Sequence, residues 1–203
     1  MRGLSGGAAL LLAALASMGP SSAELKPRSP SKVSAKAVAR LSQKQVDAVI
    51  DSMIERSDFY WHKGDYDSIA WVDEMVVRLD PTDVTTWGNL AWIWWAGMNN
   101  DAKAEGVLKR GLAANPNRYE MYEEYGLFCF RLKRYAEARD LMAKAVRFSD
   151  APAITWNQYA QSIERAGDAA AAARVWTSML KRFPKFPLSQ VNLDRQKRKG
   201  LTN

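Results

Sequence analysis

Three prolines and one aspartate divide most of this chain into equal lengths. Pro81, Pro116, Asp150 and Pro184 are separated by 35, 34 and 34 residues. Internal recurrence at this period outweighs any single motif, because it requires each segment to fold as one supersecondary unit that buries its apolar face only against its neighbours. Other positions keep the same step. Met53, Trp87, Tyr122 and Trp156 put a large apolar group in each unit, and four residues later Ser57, Ala91, Gly126 and Ala160 put a small one. Ala104, Ala138 and Ala172 supply a second small site, for which the first unit has Ile69.

Within each unit the apolar residues recur at helical spacing. Val46, Val49, Ile50, Met53 and Ile54 are separated by one, three or four residues, and no alternating strand pattern follows. The turns between paired helices read Lys63-Gly64-Asp65-Tyr66, Leu132-Lys133-Arg134-Tyr135 and Ala166-Gly167-Asp168. The second unit has Gly97-Met98-Asn99-Asn100-Asp101, and its 35-residue length is expected to reflect one extra residue in that turn.

These residues resemble the tetratricopeptide repeat family, whose unit is a pair of antiparallel helices ending near a proline. The resemblance covers residues 50–186, in units of about 50–83, 84–118, 119–152 and 153–186. It implies an all-α fold, a right-handed α-solenoid of about four helix pairs, within a repeat domain at 42–186 and closed by a short capping helix and basic tail at 187–203. Arg56 and Asp73 stand where the family buries large apolar groups, so looser packing is expected in the first unit.

The chain's start follows different rules. Arg2, the small apolar run Ala8–Ala16 and the small residues Ser21 and Ala23 form a secretory signal over residues 1–23, with cleavage expected before Glu24 and Ala16 as the alternative cut. The stretch Leu4–Met18 is short of the roughly 20 residues needed to span a bilayer. The exported product would be periplasmic or extracellular; tethering by an uncleaved signal is the alternative. Residues 24–41 contain Pro27, Pro30 and spaced cations with few large apolar groups, and read as a flexible basic linker.

Charge location argues against nucleic acid. Residues 50–183 carry 17 basic and 19 acidic side chains, so the formal net charge of +7 belongs to the ends. Clustered cations on one rigid face, with interleaved aromatics, are missing from the pattern. One histidine, His62, and one cysteine, Cys129, exclude a His/Cys metal site within one chain and an internal disulfide. Neither a phosphate-binding glycine loop nor a nucleophile elbow occurs, so no cofactor and no catalytic residue are assigned, and the expected class is non-enzymatic.

In the family the first helix of each pair lines a concave groove. Carried over position by position, the resemblance implies partner contacts at Trp61, Trp92, Trp95, Phe130, Arg131, Asn157, Gln161 and Arg165. Trp92 and Trp95 lie three apart and share a helix face, and Trp94 is expected to face the core. An aromatic groove with arginines at its edges suits an extended or helical peptide with apolar side chains, which makes a scaffold or adaptor for a protein partner the leading expectation. Self-assembly through the same face, and carbohydrate or cell-wall binding by stacked rings, are the alternatives.

Overall fold

The computed structural model describes residues 42–201, so the signal at 1–23 and the linker at 24–41 lie outside the described residues. The described residues are all-α, and they fall into two compact units that meet in sequence between Val107 and Leu108.

The first unit begins with α1 (Gln43–Lys63), nucleated at Ser42 by the Gln45 side chain, whose Oε1 accepts the Ser42 backbone N–H at 2.9 Å. Val46, Val49 and Met53 on α1 pack against Val72, Met75, Val76 and Leu79 of α2 (Tyr66–Leu79). Asp65 caps α2 by accepting the Ser68 backbone N–H at 3.1 Å and the Ser68 hydroxyl at 2.6 Å. After the Pro81 turn, Asp83 caps α3 (Val84–Trp92) through the Thr85 and Thr86 amides. The first half of α4 (Asp101–Ala114) completes this unit.

The second unit contains α5 (Tyr119–Arg131), α6 (Tyr135–Ala145), α7 (Ala153–Arg165), α8 (Ala169–Arg182) and α9 (Leu188–Arg198). Each of these helices packs against the next. Ala160, Ile163, Ala172, Trp176 and Met179 form the buried centre between α7 and α8.

Two recurring devices explain why the helix pairs fold alike. The hairpin turns all pass through the left-handed region, at Gly64 (φ 66°), Asn99 (φ 50°), Lys133 (φ 61°) and Gly167 (φ 103°). In three of them the next amide reaches back to close the helix end: Asp65 N to Tyr60 O, Arg134 N to Cys129 O and Asp168 N to Ile163 O. The large residue near the start of each first helix then ties down the preceding turn. The Trp87 indole donates to the Pro81 carbonyl at 2.9 Å, and the Tyr122 hydroxyl donates to the Pro116 carbonyl at 3.0 Å. Trp156 follows Asp150 in place of proline, and its indole N–H has no partner.

The extra residue of the second repeat is not in the turn where the sequence places it. From Ile93 to Gly97 the helix widens to a π turn, with the Met98 amide bonded to the Ile93 carbonyl at 3.0 Å. A π turn holds one more residue than the α turn it replaces, so the hairpin turn keeps its form and the insertion is absorbed inside the helix.

The first unit's departure from the repeat pattern is a buried carboxylate. Asp73 lies inside α2 at 7% exposure and accepts a hydrogen bond from the Ser57 hydroxyl. Burial, with Asp83 adding like-charge repulsion, pushes its pKa up to about 7. The folded state therefore holds this proton more tightly than the unfolded chain does. The resulting stability is complete below about pH 4 and is lost as pH rises through the folded-state value. Asp73→Asn should raise the unfolding free energy by on the order of 2 kcal/mol at pH 8, with no gain at pH 4. Urea denaturation at the two pH values measures it, and equal gains at both would contradict the assignment.

Candidate functional site

The first unit collects four aromatic rings at the junction of its helices. Trp61 stands in the last turn of α1, Tyr66 opens α2, Trp92 ends α3 and Trp95 lies in the π turn. Trp61 meets Tyr66 with centroids 6.2 Å apart and Trp92 at 5.6 Å, and Trp92 meets Trp95 at 6.2 Å. These separations are those of favourable aromatic pairs, and the interplanar angles of 77° and 74° are edge-to-face, while Trp61 and Trp92 are tilted by 41°. Trp61 remains 50% exposed and Trp92 40% exposed.

Local backbone chemistry sets this arrangement. Gly64 turns the chain so that Tyr66 comes back beside Trp61, and Gly97 lies against the Tyr66 ring, where an added Cβ would stand 3.0 Å from two ring carbons. Ile93, at 2% exposure, takes the core side of the widened turn. Trp94, expected in the core, is half-buried instead, with the Lys103 ammonium 3.8 Å above its ring centre. Asp58 lies one turn before Trp61, its carboxylate 3.6 Å from His62, and Asp65 and Asp67 flank Tyr66.

Of the eight residues proposed from sequence, Trp61, Trp92 and Trp95 are brought together here. The other five lie in the second unit and do not form one set of side chains. Phe130 is half-buried and meets Tyr135 at 5.2 Å. Arg131 is exposed, its guanidinium 5.1 Å from the Phe128 ring centre. Gln161 is half-buried and Arg165 exposed. Asn157 is interior, at 2% exposure, and its Oδ1 accepts from the Trp176 indole at 2.9 Å and from Asn192 Nδ2 at 3.0 Å.

That oxygen belongs to a polar network which seats α9. Arg195 donates to Glu164 at 2.6 Å, and Gln196 Nε2 donates to the other Glu164 oxygen at 3.0 Å and to the Ala169 carbonyl at 3.1 Å. Nearby, burial pushes the Glu123 carboxyl above its usual range although the Thr155 hydroxyl donates to it at 2.8 Å across two repeats. Sequence reasoning missed both the network and the place of Tyr66 in the cluster. The signal for the former is limited to the amides themselves, Asn157, Asn192 and Gln196, whose burial the sequence does not mark.

Among the described residues, no group of three or more His, Cys, Asp or Glu side chains is placed to hold a metal ion, and no helix is long and apolar enough to cross a membrane. Cys129 is buried.

Residues 96–152 match the sequence family described as tetratricopeptide repeat. The chain carries the tetratricopeptide-repeat fold. Solved structures extend the likeness across both units of the repeat region. A MamA structure is similar at 19% identity with a TM-score of 0.59, covering 75% of this chain and 83% of that one. PilF of Pseudomonas aeruginosa has 18% identity and a TM-score of 0.60, covering 76% and 70%. PilW, described as a widely conserved type IV pilus biogenesis factor, has 24% identity and a TM-score of 0.58, covering 78% and 70%. Identities this low relate folds, not activities. Comparison with curated protein sequences gives no match.

The position of Asn157 in the repeat fold separates a structural role from a binding one. Asn157→Ala leaves two buried donors without an acceptor and should cost about 2–3 kcal/mol of stability, read as a lower urea midpoint. An unchanged midpoint would return Asn157 to the list of binding residues.

Proposed function

We propose that the protein is an exported, non-enzymatic adaptor which holds a protein partner on the aromatic cluster of its first unit. The observation that carries this reading is the exposure of Trp61 and Trp92 within a chain of rings whose geometry is already set by their mutual contacts. Tryptophan is enriched where binding energy concentrates, and pre-arranged rings lose little conformational freedom when a partner covers them. An extended or helical peptide with apolar side chains fits a surface of this kind, and the carboxylates of Asp58, Asp65 and Asp67 favour cations among its polar residues. Tetratricopeptide repeats supply the scaffold, with the second unit stiffened by its own polar network. No described constellation of acid, base and nucleophile supports catalysis.

The double variant Trp92→Ala, Trp95→Ala should keep its helicity by far-ultraviolet circular dichroism and lose a specific protein that the unaltered chain retains from the cell-envelope fraction. Retention of that protein at the original level by a folded double variant would sink the reading. Export rests on the sequence of residues 1–23. N-terminal sequencing of the protein isolated from its native host should begin at Glu24, whereas a product that begins at Met1 would overturn cleavage.

A further inference from the structure

The described residues leave eight large apolar side chains exposed, and six of them lie on or beside the first and last helices. Ile54, Phe59 and Trp61 are on α1, at 57%, 44% and 50%. Leu188 and Val191 are on α9 and Leu201 follows it, at 40%, 52% and 47%. Terminal repeats ordinarily close an array with a polar outer face. Here the first and last helices each combine apolar groups with charge, and the charges are of opposite sign.

On α1 the open side is acidic. Asp47, Asp51, Glu55 and Asp58 are exposed and succeed one another at four, four and three residues, with Ile54 in the same stripe. Asp47 accepts from Gln43 Nε2 at 2.8 Å and Asp58 stands 3.6 Å from His62, but no cation of another described element is bonded to these carboxylates. On α9 the open side is basic. Leu188, Val191 and Arg198 share one side, and Lys197 and Lys199 flank Arg198 at the helix end. Among the described residues no acidic side chain is bonded to Lys197, Arg198 or Lys199, whereas Arg195 is held by Glu164 at 2.6 Å. Asp194, half-buried and accepting from Gln190 at 2.9 Å, is the one carboxylate of α9.

The two patterns match in antiparallel register. Seven residues separate Val191 from Arg198 and seven separate Ile54 from Asp47, an advance of about 10 Å on either helix. With Val191 set against Ile54, Arg198 and its neighbouring lysines reach Asp47, and Leu188, about 4.5 Å before Val191, falls between Ile54 and Phe59. The same direction brings the C-terminus of α9, with its partial negative charge, to the N-terminus of α1, where the partial charge is positive. A surface of anionic lipid would neutralise the cations of α9 but would leave the acidic stripe and Ile54 uncovered. A second copy of the chain covers both.

We infer that α9 of one copy docks antiparallel on the open side of α1 of a second copy, with Leu188 and Val191 against Ile54 and Phe59, and Lys197, Arg198 and Lys199 against Asp47 and Asp51. The contact joins two different patches. It therefore leaves an α1 face on one copy and an α9 face on the other open to further copies, and growth stops only where the assembly closes on itself. It uses neither Trp92 nor Trp95 and stands whether or not those rings hold a partner. One helix on one helix is a small interface, in the class below about 1,200 Å² that transient assemblies use. Association is accordingly weak, with a dissociation constant on the order of tens of micromolar, and its ionic part is open to screening by salt.

The chain from Glu24 is the material for the test, and sedimentation equilibrium over a concentration series bracketing that range is the readout. The average mass of the unaltered chain should rise with concentration toward that of a dimer or beyond, and the rise should shrink as salt is raised. Asp47→Lys with Asp51→Lys and Glu55→Lys, and separately Lys197→Glu with Arg198→Glu and Lys199→Glu, should each weaken association at least about ten-fold. All six side chains are exposed, so far-ultraviolet circular dichroism should not change. Mixing the two variants, or combining the six reversals in one chain, should restore association. Ile54→Ser with Val191→Ser should weaken it at every salt concentration, and Trp92→Ala, Trp95→Ala should associate as the unaltered chain does. A chain that stays monomeric throughout would overturn the proposal; if it then sediments with phosphatidylglycerol vesicles and the Lys197, Arg198 and Lys199 reversals abolish this, the α9 face is a lipid surface. Association that survives either charge variant, or that the tryptophan variant removes, would place the contact elsewhere and overturn it too. So would a mixture of the two charge variants that remains monomeric.

Discussion

The structure depends on how closely two helices of a hairpin can approach, and in the second, third and fourth repeats a small residue on each helix permits that approach. Ala91, Gly126 and Ala160 on the first helices, and Ala104, Ala138 and Ala172 on the second, are all buried. At Gly126 even a methyl group would come 2.9 Å from the Met142 terminal carbon. With the backbones drawn this close, the turn between them has to reverse the chain in very few residues, and a left-handed residue does so in every repeat. Lys133 accepts that conformation in the third repeat, where glycine stands in the first and fourth. A β-carbon in this region costs about 1 kcal/mol, so the packing of the α5–α6 pair outweighs the strain. Interior packing thus governs the turns, and the turns in turn bring Tyr66 against Trp61 and Tyr135 against Phe130.

The insertion in the second repeat shows the same order of control. An extra residue placed in a solvent-exposed turn costs little, yet here the turn keeps its geometry and the helix widens. Asn99, a residue that tolerates the left-handed region, occupies the turn position equivalent to Gly64, Lys133 and Gly167. The surplus therefore lies before it, among Ile93, Trp94, Trp95, Ala96 and Gly97. Widening keeps Ile93 in the core while Trp95 joins Trp92, and it brings the one residue without a side chain against the Tyr66 ring. The irregular turn directly follows the exposed Trp92 and contains Trp95.

Helix pairs, their period and the small packing positions were legible in the sequence because they are enforced by repetition: an error in any one repeat stands out against three others. Trp61, Trp92 and Trp95 were legible as one surface because helical spacing and the repeat phase agree on their direction. What repetition does not encode was not legible. Asn157 occupies a position that faces the groove in the family's pattern, but its oxygen is drawn inward by the Trp176 indole and by Asn192, which comes from α9, an element outside the repeat. The π turn also escapes a reading by period, since a count of 35 residues locates an insertion only between two prolines. Trp94 follows from that miss, because its direction depends on which turn carries the extra residue.

Departures from a repeating pattern need an explanation, and here they are of two physical kinds. In the second unit Asn157, Asn192, Glu164, Arg195 and Gln196 are joined into one network that fixes α9, with Glu164 receiving both Arg195 and Gln196. Groups so engaged stabilise a particular arrangement of helices and offer little to an external ligand. In the first unit the departures are not resolved within the described fold. Asp73 is buried with only the Ser57 hydroxyl against a rising desolvation cost, Trp61 and Trp92 remain half exposed to water, and the carboxylates along α1 face solvent beside Ile54 and Phe59. Sequences ordinarily break local rules of burial and patterning where function requires it. The concentration of such breaks between α1 and the π turn is a physical argument, independent of any likeness to other proteins, for placing the interaction surface in the first unit.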